Sequence, residues 1–213
     1  MADNVPQSQQ AFTVLLTGLP GSGKSTLAAI VAGALARLGR RVQVLDGEQV
    51  RATLSRDLGF SRDDRRRQAE RLAFLADLLN SHGIDVLIPA ITPYAEDRAI
   101  IAGQIERFGE IAVVCDMATC RQRDTEGLYE RADAGAIDQF TGVSAPYEAP
   151  TAPMAAVIND IGSPEQGAMT LLQALESAGW ISGVASLDLS GDVAYSEDDE
   201  AEITRRLTDL GYL

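Results

Sequence analysis

The chain has 213 residues, of which 46% are hydrophobic and 23% are charged, and its formal net charge at pH 7 is −13. This length and apolar content suit one α/β domain with a buried core, and no stretch approaches the roughly 20 apolar residues that a membrane span needs. The strongly negative charge argues against nucleic acid and against an anionic membrane as partners.

Two features of the sequence bear on cellular location: the composition of the amino terminus and the pattern of the cysteines. Residues 1–10 are polar and lack the basic segment and apolar run of a secretory signal. Cys115 and Cys120 are five positions apart and have no companion histidine or cysteine in a metal-binding pattern. We therefore predict reduced thiols and a cytoplasmic protein.

Apolar runs alternate with helical periodicity through the first part of the chain. The first strand is predicted from Phe12 to Thr17 and is followed by a glycine-rich stretch. Apolar residues from Leu27 to Leu38 then recur at helical spacing, and Gly39 is a typical helix stop. A second strand is predicted from Val42 to Leu45, with a weak helix after it to about Leu58.

The middle of the chain continues this alternation. Ser61 to Asp64 has the form of a capping box and predicts the start of a long amphipathic helix. Further elements are predicted in the order strand Val86 to Ala90, helix Tyr94 to Phe108, strand Ile111 to Val114, strand Ala156 to Ile158 and helix Pro164 to Ser177. Strands and helices in alternation predict a parallel sheet of about five strands with helices on both faces.

Two segments stand apart from the alternation. Arg121 to Pro150 is mostly polar, with glycines spaced through it, and is predicted to be a mobile lid. Near the carboxyl terminus, Ser196 and the acidic residues after it predict a helix start, and Gly211 predicts its end. We expect this terminal helix to dock on the domain or on a second subunit.

The first chemical motif lies between the first strand and the first helix. Gly18 to Ser25 matches the phosphate-binding pattern G-x-x-x-x-G-K-[ST], and Lys24 is the only lysine among 18 basic residues. In such a loop the backbone N–H groups and the helix N-terminus face phosphate oxygens, the lysine reaches the β- and γ-phosphates, and the hydroxyl of Ser25 binds Mg²⁺. The residues predicted to bind ATP here are Gly18, Leu19, Pro20, Gly21, Ser22, Gly23, Lys24, Ser25 and Thr26.

Two carboxylates follow the second predicted strand. Asp46 and Glu48 come directly after its end, where parallel α/β sheets place their ligands. One can help to hold hydrated Mg²⁺ and the other can accept the proton of an attacking hydroxyl. The sequence leaves open which carboxylate takes which role, although Asp46 is our candidate metal contact. We predict a P-loop kinase domain over residues 1–182, with its lid at about 121–150, and an acidic tail with a short helix over residues 183–213.

Several further motifs resemble those of the adenylylsulfate kinase family and occur in the family's order. They are the phosphate loop Gly18 to Thr26, Leu45 to Glu48 with Arg51, Leu58 to Ser61 with Asp64 and Arg65, Ile91 to Tyr94 with Arg98, Arg123 and Asp124 with Gly127 to Tyr129, and Phe140 to Pro150. The resemblance covers roughly residues 12 to 180. It implies a homodimeric kinase that uses ATP to phosphorylate the 3′-hydroxyl of adenosine 5′-phosphosulfate (APS).

The resemblance also implies roles for individual residues. Phe60 and Phe140 would sandwich the acceptor's adenine, and a base stacked on aromatic faces gains about 1–3 kcal/mol. Arg51 and Arg65 would contact the phosphosulfate, for which a guanidinium fork is suited. Thr92 replaces a family serine once regarded as a phosphoryl acceptor, which makes it a candidate catalytic residue, and for it we favour a binding role. The other positions implied are Arg123 for ATP, and Gln68, Ile91, Thr141 and Gly142 for the acceptor.

The chain departs from the family pattern at a few positions. Glu48 replaces an aspartate, and Gln68 replaces an asparagine. Glu126 and Glu130 replace lysines of the lid, and carboxylates disfavour bound polyanions unless arginines such as Arg131 compensate. Two alternatives therefore stay open: a kinase of the same fold with another small hydroxyl acceptor, and a non-catalytic nucleotide-binding regulatory subunit.

Overall fold

A computed structural model describes residues 10–189 and 195–213. Its centre is one parallel sheet of five strands in the order β2-β3-β1-β4-β5. The strands are β1 Thr13–Thr17, β2 Val42–Val44, β3 Asp85–Pro89, β4 Phe108–Val114 and β5 Ala155–Ile158. The predicted parallel sheet of about five strands is confirmed.

The helices lie on both faces of this sheet, also as predicted. They are α1 Lys24–Arg37, α2 Gly47–Thr53, α3 Arg62–Asn80, α4 Ala95–Gln104, α5 Met117–Gln122, α6 Leu128–Asp133, α7 Pro164–Ser177 and α8 Glu197–Asp209, with a 3₁₀ turn at Val184–Ser186. Ser61 caps α3 as expected, because its Oγ accepts a hydrogen bond of 3.1 Å from the amide of Asp64.

The hydrophobic core has two layers because side chains alternate along each strand. In β1, Val14 and Leu16 face the layer formed with α1 and α7, while Leu15 faces the layer formed with α3 and α4. All three side chains are fully buried. The glycine-rich loop follows β1, so it lies at the middle of the carboxyl end of the sheet.

The helix predicted from Tyr94 to Phe108 is too long at its carboxyl end. Helix α4 stops at Gln104, Ile105 is already extended, and Phe108 is the first residue of β4. Phe108 pairs in register with Thr13 of β1, and the buried side chain of Ile105 packs in the α3–α4 layer. Pairing with the central strand therefore overrides a helical pattern that the local sequence could have continued.

The predicted lid, residues 121–150, contains more regular structure than its polar sequence indicated. It includes the end of α5 and the whole of α6. The Tyr129 hydroxyl donates a 2.9 Å hydrogen bond to the carbonyl of Pro20, and the bridge between Thr141 and Ala145 closes a compact turn. The segment lies against the glycine-rich loop, whereas its mobility stays a prediction.

The tail forms the predicted terminal helix. Ser196 and Asp199 make a reciprocal capping box at the start of α8, and the helix docks near β5 of the same chain. The apolar residues Ile203 and Leu207 are half-buried, whereas Leu210 at the end of the helix is exposed. Within the described residues no helix is long and apolar enough to cross a membrane.

Candidate active site

The glycine-rich loop joins β1 to α1 and takes a conformation that only glycine adopts easily. Gly21 and Gly23 have positive φ angles of 77° and 89°. A side chain at Gly18 would run into the carbonyl oxygen of Val113 on β4. The loop therefore wraps tightly over the carboxyl end of the sheet, with the amino terminus of α1 facing its concave side.

Lys24 is folded back onto the loop that carries it. Its Nζ donates hydrogen bonds of 3.0 Å to the carbonyl of Gly18, 2.7 Å to that of Leu19 and 3.3 Å to the hydroxyl of Ser22. Burial lowers the pKa of Lys24 to about 8, although the negative charge of Glu48 opposes that shift. A buried ammonium held by carbonyl oxygens is ready to exchange them for phosphate oxygens.

Ser25 and Asp46 meet beside the loop. The Ser25 hydroxyl donates a 2.7 Å hydrogen bond to Oδ2 of Asp46. Oδ1 of Asp46 caps α2 by accepting from the amides of Glu48 at 2.9 Å and Gln49 at 3.3 Å. A hydroxyl and a carboxylate side by side are hard oxygen donors of the kind that Mg²⁺ shares with nucleotide phosphates.

Glu48 differs from Asp46 in its surroundings. Its side chain is exposed, while the side chain of Asp46 is half-buried. The negative charge of the Glu48 carboxylate raises the pKa of Lys24, against the larger effect of burial. The structure thus brings both predicted carboxylates to the phosphate loop and leaves that of Glu48 open to solvent.

Arg123 and Asn159 hold the other side of the loop. The Arg123 guanidinium donates a 2.9 Å hydrogen bond to the carbonyl of Asn159, and the Asn159 amide donates one of 2.7 Å to the carbonyl of Ser22. Any side chain at Gly23 would collide with that amide. Arg123 therefore lies at the phosphate loop, which is where its predicted role in ATP binding requires it.

A second group of predicted residues lies around Arg65, which is almost completely buried. Its Nε donates to the carbonyl of Phe60 at 3.0 Å, and its Nη2 donates to the carbonyl of Gln139 at 2.7 Å. One guanidinium therefore joins the segment before α3 to the lid. Burial lowers the pKa of Arg65, as it does that of Arg51.

The two predicted stacking residues have different environments. Phe60 is 52% exposed and has the guanidinium carbons of Arg51 and Arg65 at 4.8 Å and 5.6 Å from its ring centre. Phe140 is half-buried and meets the ring of Tyr129 edge to face at 5.0 Å. Phe60 therefore offers an open aromatic face flanked by two cations, while Phe140 belongs to the lid's small apolar cluster.

The remaining predicted acceptor residues carry unusual backbone or unpaired polar atoms. Thr92 has a positive φ of 36°, an uncommon conformation for a β-branched residue, and the carbonyl of Ile91 before it accepts from Thr17 at 2.6 Å. Thr141 Oγ1 and Gln68 Oε1 are buried without a hydrogen-bond partner in the described structure. Such atoms usually have a partner, and a bound ligand could supply it.

The last three positions singled out in the sequence, Gly142, Glu126 and Glu130, lie in the lid. A side chain at Gly142, whose φ is 89°, would press on Leu19 of the phosphate loop, so this glycine allows the lid to approach the loop. Glu126 and Glu130 are exposed around the start of α6. Neither carboxylate is placed against the loop by a contact of the described residues.

Sequence reasoning missed several residues of the site. Asn159 directly follows β5, so the same strand-end rule that found Asp46 could have found it. Tyr129 was quoted only as part of a motif, and the contact of its hydroxyl with the loop has no local signal. Gln139, which has a positive φ of 57°, contributes only its backbone carbonyl, and no side-chain pattern reports that.

The sheet order, the phosphate loop and the carboxylate beside Ser25 define a P-loop phosphotransferase. The sequence profile described as adenylylsulphate kinase matches residues 10–158. The chain belongs to the adenylylsulphate kinase family.

Individual relatives agree with the profile. An adenylyl-sulfate kinase of Gloeothece citriformis is 40% identical over 173 residues, which are 81% of this chain and 98% of the relative. One from Chloroflexus aurantiacus is 43% identical over 172 residues, covering 81% of this chain and 92% of the relative. The APS kinase of Mycobacterium tuberculosis, solved with AMPPNP and APS, has a TM-score of 0.75 at 40% identity and covers 78% of this chain and 98% of that one.

Proposed function

We propose that this protein transfers the γ-phosphoryl group of ATP to the 3′-hydroxyl of APS, giving 3′-phosphoadenosine 5′-phosphosulfate. The observation that carries the proposal is the position of Arg65, whose guanidinium lies beside the exposed ring of Phe60 and hydrogen-bonds to the backbone carbonyls of Phe60 and of Gln139 in the lid. This arrangement places an aromatic face and two cations together, as a nucleotide with a charged 5′ group requires. The relative from M. tuberculosis was solved with APS and a non-hydrolysable ATP analogue, which supports the same pair of ligands.

The donor half of the reaction belongs to the phosphate loop. The amino terminus of α1 and the loop amides stabilise the phosphate charge, and Lys24 neutralises charge that develops on the transferring group. Lys24 must first leave the carbonyls of Gly18 and Leu19, which is an exchange of neutral acceptors for anionic ones. Arg123 adds a further cation at the loop's edge.

We also propose that Mg²⁺ accompanies ATP. The hydroxyl of Ser25 and the carboxylate of Asp46 lie 2.7 Å apart and suit a hard cation that keeps most of its ligands from water and phosphate. When bound, such a cation neutralises the phosphate oxygens and holds them in position. Ser25 and Asp46 are the residues that would hold it.

Glu48 is the better candidate to accept the proton of the attacking hydroxyl. Both oxygens of Asp46 are engaged, one by Ser25 and one by the cap of α2. The Glu48 carboxylate is exposed in the first turn of α2 and is free to meet the acceptor. Thr92 then has a binding role, because its strained backbone presents the segment before α4 to the acceptor.

The test is an ADP-release assay with ATP and Mg²⁺, run with and without APS and with other small hydroxyl acceptors. ADP release that depends on APS supports the proposal, and the Glu48→Gln variant should then lose turnover while keeping its affinity for ATP. ADP release driven by another acceptor would support the first alternative. Absence of release with every acceptor, despite ATP binding, would support the regulatory alternative.

Several finer points are proposed with this function. We propose a homodimer, supported by an exposed apolar patch of Leu54, Phe74 and Leu78 that are 61%, 60% and 46% exposed. We propose a cytoplasmic location, supported by the free thiols of Cys115 and Cys120. We also keep the division into a kinase domain, 1–182, and an acidic tail, 183–213.

A further inference from the structure

The carboxyl-terminal helix α8 lies outside the region that defines the family. The family profile ends at residue 158, whereas α8 runs over Glu197–Asp209. The helix nevertheless packs near β5 and contacts Asp160, which follows that strand. This is the end of the sheet at which the phosphate loop follows β1. The contacts of α8 therefore bear on the half of the site where ATP is proposed to bind.

The main polar contact of α8 is made by one arginine. Nη1 of Arg206 lies 2.8 Å and 2.9 Å from the two carboxylate oxygens of Asp160, and the two side chains are only 19% and 3% exposed. The adjacent Arg205 is 61% exposed and, among residues 10–189 and 195–213, pairs with Glu202 and Asp209 of its own helix. Two neighbouring arginines of the same helix therefore have opposite environments.

Asp160 also links α8 to the start of α5. Its Oδ2 also accepts a 2.9 Å hydrogen bond from the amide of Asp116. The side chain of Asp116 in turn caps α5 through the amides of Ala118 at 2.8 Å and Thr119 at 3.0 Å. Arg206 therefore holds the start of the helix whose carboxyl end carries Arg123.

Asp160 is also the neighbour of the residue that holds the phosphate loop. Asn159 accepts from Arg123 through its carbonyl and donates to the carbonyl of Ser22 through its amide. Asn159 and Asp160 form one turn after β5. A shift of that turn would therefore reach both Arg123 and the loop.

The charge of Asp160 makes Arg206 necessary. A carboxylate that is 3% exposed is strongly destabilised without a cationic partner. It also lies on the side of the sheet where an ATP polyanion binds, in a chain with a net charge of −13. The ring of Tyr195 also lies close to Gly162, so the tail passes beside the residues that follow this turn.

We propose that Arg206 is a positioning residue for ATP, which acts through Asp160 to hold the turn at 159–160 and α5 in the nucleotide-binding arrangement. The inference rests on the proposed function only in taking ATP as the donor. The tail is then part of the donor half of the site, and it supports nucleotide binding without touching the acceptor.

The test measures AMPPNP binding with Mg²⁺ by calorimetry on the full chain. Arg206→Ala should weaken AMPPNP binding by about 3- to 30-fold, the range in which residues without ligand contact modulate binding. Arg206→Lys, which keeps the charge, should recover part of the loss. Arg205→Ala is the matched control, and its affinity should stay within about twofold of the parent because its ion pairs are exposed.

A double-mutant cycle separates this role from general destabilisation. If Arg206 acts through Asp160, its removal should cost little in an Asp160→Asn background, and the two effects should not add. If Arg206→Ala does not fold, Asp160→Asn alone should weaken AMPPNP binding while the Michaelis constant for the acceptor changes little. Unchanged or tighter AMPPNP binding in a folded Arg206→Ala protein, or additive effects in the cycle, would overturn the proposal. Because this readout needs no acceptor, a failure of the APS reaction appears only in the ADP-release assay.

Discussion

In the proposed function, Lys24 is the residue on which phosphoryl transfer depends most directly. It is the only lysine of the chain, and its ammonium is buried among carbonyl oxygens of the loop. Desolvation makes the charged form unfavourable in the free protein, while a bound polyphosphate makes it favourable. The same burial therefore prepares Lys24 for ATP and makes its protonation sensitive to ATP.

Replacing Lys24 by alanine should abolish most phosphoryl transfer. Removal of one preorganised charge at a transferring group typically lowers turnover by about 100- to 1,000-fold. Single-turnover rates with saturating ATP measure the effect, and circular dichroism with thermal unfolding checks that the fold is kept. A folded variant that works within a few-fold of the parent would contradict the phosphate-loop assignment.

The pKa of Lys24 can be measured without ambiguity, because protein labelled with ¹³C-lysine gives one lysine side-chain signal. In the free protein this signal should titrate with a pKa of about 8. AMPPNP should raise that pKa, since phosphate oxygens favour the ammonium form. The affinity for ATP should accordingly be full below the pKa of the free protein and fall as the pH rises from that value toward the raised pKa of the complex. A lysine signal that titrates near its ordinary value of 10.5 in the free protein would show that burial does not act as described.

At the scale of elements, the proposed acceptor site combines two segments that are distant in sequence. Phe60 precedes α3 and Phe140 follows α6, and Arg65 hydrogen-bonds to the backbone of both segments. Because Phe60 is exposed and Phe140 is half-buried, loss of Phe60 should affect folding less.

Substitution of either phenylalanine by alanine should raise the Michaelis constant for APS far more than that for ATP. The loss of one base-stacking face, about 1–3 kcal/mol, corresponds to about 5- to 150-fold. If both rings stack on one adenine, their effects should be non-additive in a double-mutant cycle. Equal increases for both substrates would mean that the rings serve the core and not the acceptor.

The lid should open and close over the two nucleotides. Hydrogen exchange of residues 121–150 should be fast in the free protein and slow with AMPPNP and APS, since closure excludes water from the reacting groups. Protection that is already complete in the free protein would contradict this gating.

The lid's charge gives a separate prediction. Glu126→Lys should tighten APS binding, by up to about tenfold, because an exposed repulsive charge becomes attractive. If APS is not the acceptor, the variant should leave APS poorly used and lower the native reaction. Glu106→Lys, on an exposed residue before β4, controls for the change in net charge.

For the molecule as a whole, an exposed apolar patch predicts that two copies of the chain associate. Leu54 and Phe74 of the patch line an open groove of about 570 Å³ together with Arg67, Glu70 and Arg71. A face with both charges and apolar side chains can pair with itself about a two-fold axis.

Light scattering after gel filtration should give the mass of a dimer, and Phe74→Ser should shift the mass toward the monomer. Leu210→Ser is the matched control, because Leu210 is 50% exposed on α8 and away from the patch. If both variants keep the mass of the parent dimer, the association surface lies elsewhere. A monomeric parent protein would contradict the homodimer itself.

The sequence by itself determined the features that depend on residues close together in the chain. The phosphate loop is one of these, because its positive φ angles, its lysine and the helix that follows are contiguous. The order of strands and helices is another, since period and capping are local signals. The sequence could not place the end of α4, because the pairing of Phe108 with Thr13 decides it.

Only the tertiary structure decided which distant residues hold the site together. Asn159 bonds to Ser22 across 137 positions, Arg65 to Gln139 across 74, and Arg206 to Asp160 across 46. These contacts join loops to one another or to helices, and two of them use backbone carbonyls that no side-chain pattern reports. Their partners depend on how the strands are ordered and how the helices pack, so they arise only when the whole chain is folded.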